Sequence, residues 1–186
     1  MTSNLFKPAV IGLGYVGLPL LIKVLEKYAV KGFDINKNRL DELREGRDNT
    51  GELTDLELNM LRKVNLTSNI SDLIDCNFYI VTVPTPVTEE NNPDFSFLES
   101  ASNLVGSVLG LSDIVVYEST VYPGATEEIC VPILEKTSGL NFNKDFFVGY
   151  SPERINPGDR NHRVSDIVKV TSGSTIESSK LINDFY

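Results

Sequence analysis

The run Gly12-Leu13-Gly14-Tyr15-Val16-Gly17 and the carboxylate of Asp34, 17 residues after the last glycine, carry the clearest chemistry in this chain. At this spacing the residues fit a phosphate-binding turn. Gly12 lets the backbone turn sharply out of a strand, Gly14 lets it approach a pyrophosphate, and Gly17 lets the next helix sit close to the sheet. Phosphate then meets free helix N–H groups and the positive end of the helix dipole. Asp34 stands where a carboxylate accepts hydrogen bonds from the ribose hydroxyls of an adenosine. Its charge would repel a 2′-phosphate, so the pattern favours NAD over NADP. Glycines in such a turn can also serve packing alone. Here they follow the apolar run Pro8-Ala9-Val10-Ile11 and precede a helical stretch from Leu18 to Tyr28, and a second strand follows that ends in Asp34. The βαβ unit is complete, which supports a dinucleotide site with Gly12, Gly14, Tyr15, Val16, Gly17 and Asp34 in contact with it.

Ligands of doubly wound sheets lie outside the carboxyl ends of the strands, so the residues after each later strand are the next candidates. Val83-Pro84-Thr85-Pro86 is a stiff turn that offers one hydroxyl, Thr85. The segment Glu118 to Gly124 ends a strand with the hydroxyls of Ser119 and Thr120, which serve either as an N-cap or as contacts at the nicotinamide end of the dinucleotide. The loop Tyr150-Ser151-Pro152-Glu153-Arg154-Ile155-Asn156-Pro157-Gly158-Asp159-Arg160 combines two prolines with acids and arginines. That composition suits a fixed polar site with Glu153 near the chemistry, or a solvated loop with a surface ion pair.

Strands and helices alternate along the chain, which predicts an α/β fold: Rossmann-like, doubly wound, with a mostly parallel sheet and helices on both faces. Strands are expected at Ala9 to Leu13, Val30 to Asp34, Phe78 to Val83, Ile114 to Glu118, Phe146 to Tyr150 and Ile167 to Thr171. Helices are expected from Asn36 to Glu45, from a capping box at Thr54-Asp55-Leu56-Glu57 toward Val64, and from a second box at Ser96-Phe97-Leu98-Glu99 through Leu109. Another runs from about Thr126 to Lys136, where Pro132 implies a kink or a late start. A last box, Ser174-Thr175-Ile176-Glu177, opens a helix that has barely run three turns at Tyr186.

At 186 residues the chain suits one domain with a substantial core, 1–186. Its 41% apolar and 23% charged residues are those of a soluble globular protein. No apolar run reaches spanning length and the first residues lack a signal peptide's apolar segment, so a cytoplasmic location and no membrane partner are expected. The net charge of −9 argues against nonspecific nucleic-acid binding. Cys76, placed in a core strand, and Cys130 lack metal-ligand spacing and are expected to be reduced and structural. The single histidine, His162, stands isolated in a polar loop, which argues against a His-centred metal site.

Taken in order, Gly12-Leu13-Gly14-Tyr15-Val16-Gly17, Asp34 with Arg39, Val83-Pro84-Thr85-Pro86, Ser119-Thr120-Val121 and Ser151-Pro152-Glu153 resemble the N-terminal domain of the UDP-glucose/GDP-mannose dehydrogenase family, across nearly the whole chain. The resemblance implies an enzyme that oxidises the C6 hydroxyl of a nucleotide sugar to a carboxylate in two NAD-dependent steps, supplying uronic acids for polysaccharides. It implies that Val16 lies in the pyrophosphate turn, that Asp34 and Arg39 hold the adenosine ribose side, and that Val83, Thr85, Ser119 and Thr120 meet the rest of the NAD. An arginine at position 39 can stack on adenine through its planar guanidinium, so it does not imply NADP. Thr120 also orients a water or the sugar oxygen, and Glu153 matches a glutamate that acts as base in acyl-enzyme hydrolysis. Arg154 and Asn156 fall to the substrate side.

The family reaction passes through a cysteine thiohemiacetal and thioester. The surroundings of that cysteine are not those of Cys76 or Cys130, so the nucleophile, lysine and asparagine of the mechanism are expected beyond residue 186. The chain therefore reads as a cofactor domain, cut before a central helix and a UDP-sugar-binding domain, that binds NAD without turnover on its own. Position 157 is proline where UDP-glucose enzymes tend to have a second glutamate, and Ser-Pro-Glu-Arg-Ile-Asn-Pro-Gly is more similar to the branch acting on UDP-N-acetylhexosamines. Full-length relatives dimerise through the helix after this domain, so the fragment itself is read as monomeric. The alternatives are a 6-phosphogluconate or β-hydroxyacid-type dehydrogenase, which shares the first turn but not the later loops, and a non-catalytic dinucleotide-sensing module.

Overall fold

In the computed structural model, residues 5–153 and 169–186 are described. The strands are β1 (Pro8–Ile11), β2 (Lys31–Phe33), β3 (Asn65–Thr67), β4 (Phe78–Val81), β5 (Ile114–Tyr117), β6 (Phe147–Tyr150) and β7 (Ser172–Gly173). They form one sheet in the order β3-β2-β1-β4-β5-β6-β7. The first six are parallel, and β7 runs antiparallel on β6. The order reverses between β1 and β4, so the crevice at their carboxyl ends is where a doubly wound sheet places its ligand.

The alternation of side chains along each strand assigns them to two apolar layers. Val10, Ile80 and Val116 face one layer with α1 (Gly17–Leu25) and α6 (Ile176–Phe185). Ala9, Ile11, Tyr79, Val81, Val115 and Tyr117 face the other, with α4 (Ser96–Gly106) and α5 (Val131–Ser138). All four residues of β1, β4 and β5 are buried, as covering on both faces requires. The remaining helices, α2 (Lys37–Arg44) and α3 (Asp55–Leu61), flank the β2–β3 edge.

The sequence placed most elements within a few residues, and the departures have local causes. Thr54 caps α3 with the expected reciprocal bonds to Glu57, but the helix stops at Leu61 because Val64 already leads into β3. The edge strand β3 was not anticipated. Ser96 is the first residue of α4 and not its cap; its N–H instead bonds the carboxylate of Asp94, two residues earlier. The helix ends at Gly106. The expected kink near Pro132 is a late start: Thr126–Cys130 form a π-helical turn, and α5 begins at Val131 with the proline in its first turn. The last capping box sits one residue later than expected, on Thr175 and Ser178. Of the strand expected over 167–171, residues 169–171 are not extended into the sheet, and the pairing comes from Ser172–Gly173. Cys76 lies before β4, not in it; burial pushes its thiol up to about 11, and Cys130 is raised for the same reason. Among the described residues no helix is long and apolar enough to cross a membrane.

Candidate cofactor site

The first strand delivers the glycine turn into the crevice. Gly12 has φ +95°, a left-handed conformation that a side chain would strain, and its N–H bonds the Phe33 carbonyl at 2.8 Å. A Cβ on Gly17 would stand 1.9 Å from the Gly12 carbonyl oxygen and 2.3 Å from Thr82 Oγ1, so only glycine lets α1 pass there. Gly14 differs. A Cβ there would meet nothing within 4 Å, which leaves its backbone open to the crevice. Val16, at the start of α1, receives no side-chain cap, and no acid occupies the first turn. The end of this helix thus presents its N–H groups without an internal carboxylate competing for them.

Thr82, which sequence reasoning passed over, ties the turn to the next strand. Its hydroxyl lies 2.8 Å from the Gly12 carbonyl and 3.1 Å from that of Ile11. A small hydroxyl one residue past a buried strand, opposite a glycine turn, was the available signal.

Just past β2, Asp34 Oδ2 accepts the Leu13 N–H at 2.8 Å and Oδ1 accepts the Asn36 N–H at 2.8 Å. Each carboxylate oxygen keeps further acceptor capacity for a ribose hydroxyl. Arg39 is buried, and its guanidinium is engaged within the protein: Nε donates to the Leu13 carbonyl at 3.0 Å, Nη1 to Asn49 at 2.8 Å and Nη2 to Asp48 at 2.7 Å. It supports the glycine turn from behind and borders a shallow recess with Asp34, Asn49 and Thr50.

A cavity of about 760 Å³ runs from Asp34 and Ile35 past Gly14 and Val16 to Thr85, Ser119, Thr120 and Glu153. Tyr15 and Val83 also line it. Two hydroxyls join the loops at its far end: Ser119 donates to the Val83 carbonyl at 2.5 Å and Thr85 to the Thr120 carbonyl at 2.6 Å. Thr120 itself is exposed to the cavity.

Among the described residues, the charged side chains lining this cavity are Asp34, Glu118 and Glu153, all acidic. Among the described residues, the groups suited to a pyrophosphate are the open Gly14 backbone and the N–H groups of the uncapped α1. The cavity size, the ribose-side carboxylate and this turn fit a dinucleotide.

At the far end, Glu118 is buried at the end of β5, with Lys169 Nζ 2.7 Å from Oε2 and the Tyr186 hydroxyl donating to Oε1. Burial pushes its carboxyl up, and Lys169 and Tyr186 pull the other way. Lys169 also lies 3.6 Å from Glu153. Neither Glu118 nor Lys169 was singled out from sequence: Glu118 read as a strand end, and its cation lies 51 residues away. Of the expected substrate-side residues, Glu153 lines the cavity, whereas Arg154 and Asn156 lie outside the described residues, as does His162.

The sequence model of the UDP-glucose/GDP-mannose dehydrogenase family, NAD binding domain, matches residues 6–186. The chain is 59% identical to a UDP-N-acetyl-D-glucosamine 6-dehydrogenase of Pseudomonas aeruginosa, an alignment that covers 97% of this chain and 43% of that protein. It is 56% identical to an enzyme of the same name from Salmonella typhi, over 97% and 42% respectively. Among solved structures, the UDP-D-ManNAc dehydrogenase of Pyrococcus horikoshii superposes with a TM-score of 0.85 at 31% identity, over 97% of this chain and 44% of that one. The chain thus spans less than half the length of these relatives.

Proposed function

This chain belongs to the UDP-glucose/GDP-mannose dehydrogenase family as its NAD-binding domain, and on that premise we propose that it serves an enzyme oxidising the C6 hydroxyl of a UDP-N-acetylhexosamine to a carboxylate. The intact enzyme, in this reading, continues past Tyr186 into a central helix and a UDP-sugar-binding domain that brings the nucleophilic cysteine, lysine and asparagine. It is a cytoplasmic homodimer, and residues 1–186 alone bind NAD without turnover. The observation that carries the reading is the continuous cavity from the ribose-side acid Asp34 to Glu153. The dehydrogenases of N-acetylated sugars among the relatives and the proline at position 157 support the substrate class.

NAD, when bound, supplies the acceptor for hydride from the sugar C6. The chain's own residues bind and orient. The backbone of Gly14 to Gly17 faces the pyrophosphate, Asp34 accepts the ribose hydroxyls, and Thr85, Ser119 and Thr120 frame the nicotinamide end. Arg39 holds the Leu13 carbonyl and so fixes the turn on which Asp34 also pulls. Thr120 offers a hydroxyl to the sugar oxygen or to a water. Glu153 takes a proton from the water that hydrolyses the acyl-enzyme. Arg154 and Asn156 are assigned to the substrate.

Thermal unfolding of this chain with NAD, with NADP and without ligand tests the cofactor part. At a hundredfold excess over Kd, NAD should stabilise by about 2.7 kcal/mol, a shift of several degrees, and NADP should not. Absence of a shift with NAD would overturn the site. For the substrate, the intact enzyme should reduce NAD faster with UDP-N-acetylhexosamines than with UDP-glucose; the reverse preference would sink that assignment.

A further inference from the structure

Behind the far end of the cavity, Glu118, Lys169 and Tyr186 form an array that the reading above leaves unused. The Glu118 side chain is fully buried and Lys169 is 13% exposed. Both Glu118 oxygens are engaged, one by the Lys169 ammonium at 2.7 Å and one by the Tyr186 hydroxyl. The Tyr186 ring also lies under the ammonium, with Nζ 5.4 Å from the ring centroid. Lys169 is therefore held from two sides, by a carboxylate and by an aromatic face. Its remaining reach is toward Glu153, whose carboxylate lies 3.6 Å away, an ion-pair distance. The two glutamates also meet at the backbone, where the Glu153 N–H donates to the Glu118 carbonyl at 3.4 Å.

We propose that Lys169 is a positioning residue, anchored by Glu118 and Tyr186, that fixes the Glu153 carboxylate at the reacting end of the cavity. Two carboxylates this close repel unless a cation stands between them. An isolated buried carboxylate at position 118 would be costly, so the lysine holds its place tightly, and with it the rim acid. Tyr186 follows α6, so the docking of that helix and the aim of Glu153 are coupled through one hydroxyl and one ring. The proposal rests on the role given to Glu153 above.

The test uses the intact enzyme and two readouts. The first is competitive acetylation, read by mass spectrometry as Lys169 labelling relative to exposed Lys180. The second is the split between kcat and KM for NAD. E118Q and Y186F should each raise Lys169 labelling several-fold. E118Q and K169M should lower kcat about tenfold or more, as misplacement of a reacting group does, with KM for NAD within about twofold. K169R should recover most of the rate. Y186F removes one donor only and serves if E118Q does not fold. Unchanged labelling in E118Q or Y186F overturns the anchor, and raised labelling with unchanged kcat overturns the coupling to Glu153. E153Q separates the two failures: full activity there removes the role of Glu153 itself, whereas an inactive E153Q beside unchanged labelling removes only the anchor.

Discussion

The Asp34 carboxylate accepts the Leu13 backbone N–H at 2.8 Å, so the acid that follows β2 is bonded directly to the glycine turn that follows β1. In the proposed binding mode one side chain thus does two jobs: it sets the geometry of the glycine turn and offers its remaining lone pairs to the cofactor. Replacing it disturbs both. Hydrogen bonds to a charged group contribute about 1.5–3 kcal/mol each. D34A should therefore weaken NAD binding roughly 10- to 100-fold, and the preference over NADP should shrink because the charge that repels a 2′-phosphate is gone. Calorimetric titration with both cofactors checks this. An unchanged ratio of the two affinities would remove Asp34 as the discriminating group.

Gly17 and Gly14 separate the structural glycine from the binding one. In G17A the new methyl would meet the Gly12 carbonyl at 1.9 Å and Thr82 Oγ1 at 2.3 Å. Backbone cannot yield cheaply, so the variant should lose about 1–3 kcal/mol or more of stability. G14A has open space and ordinary backbone, and should unfold within a degree or two of wild type. In the proposed binding mode its methyl stands where the pyrophosphate approaches, so its NAD-induced stabilisation should fall sharply. A G14A variant that binds NAD normally would move the pyrophosphate elsewhere.

These two residues also mark what the sequence could reveal. A backbone that must turn sharply or approach closely writes glycine at fixed positions, and the acid that ends β2 follows at a fixed distance, so the turn, Asp34 and the central strands were legible. Edge strand β3 has three residues, one of them exposed, too few to show a period. The antiparallel β7 has two. Arg39 was expected beside the adenosine, and its bonding within the protein was not legible, because its partners Asp48 and Asn49 come from a loop after α2 whose path no local rule sets. Glu118 and Lys169 were hidden for the same reason: a buried carboxylate is recognised only with its partner, and the partner comes from a distant segment.

The Arg39 clamp should show in the acid limb of stability. Burial alone would push the Asp48 carboxyl up, but hydrogen bonds from Thr50 and Arg39 outweigh it and hold it below the ordinary value. A depressed folded-state value stabilises the fold above the unfolded value near 3.8 and loses that contribution as pH falls through the folded value. Glu118 and Asp113 are pushed up by burial and pull the opposite way, so the informative quantity is the difference between wild type and D48N. At pH 7, D48N should be less stable by about 3–5 kcal/mol, the cost of leaving one partner of a buried pair. Below about pH 3.8 the gap between the two melting curves should narrow as pH falls toward the folded value. A constant gap across pH 7 to 3 would mean that Asp48 acts through shape and not charge.

The last helix is held by an aromatic cluster, and one side chain in it should decide whether α6 docks. Phe185 is buried, with its ring stacked 4.1 Å from that of Phe78 and 5.1 Å from that of Tyr28, and edge-on to Phe6 at 5.4 Å. Its neighbour Tyr186 meets the Phe185 ring edge-on at 5.4 Å and donates its hydroxyl to Glu118. F185A leaves a cavity where Phe185 met four rings, a change that costs about 3–5 kcal/mol in a packed core. For a chain of this size the melting temperature should drop on the order of 10 °C. F185L, which refills most of the volume, should recover more than half of it. Because the cluster lies on the layer of α1 and away from the ribose-side acid, NAD affinity of the folded fraction should change little at temperatures well below the transition. A loss of NAD affinity equal to that of D34A would show that α6 shapes the adenosine end as well, and a melting shift below about 2 °C would show that α6 is held elsewhere.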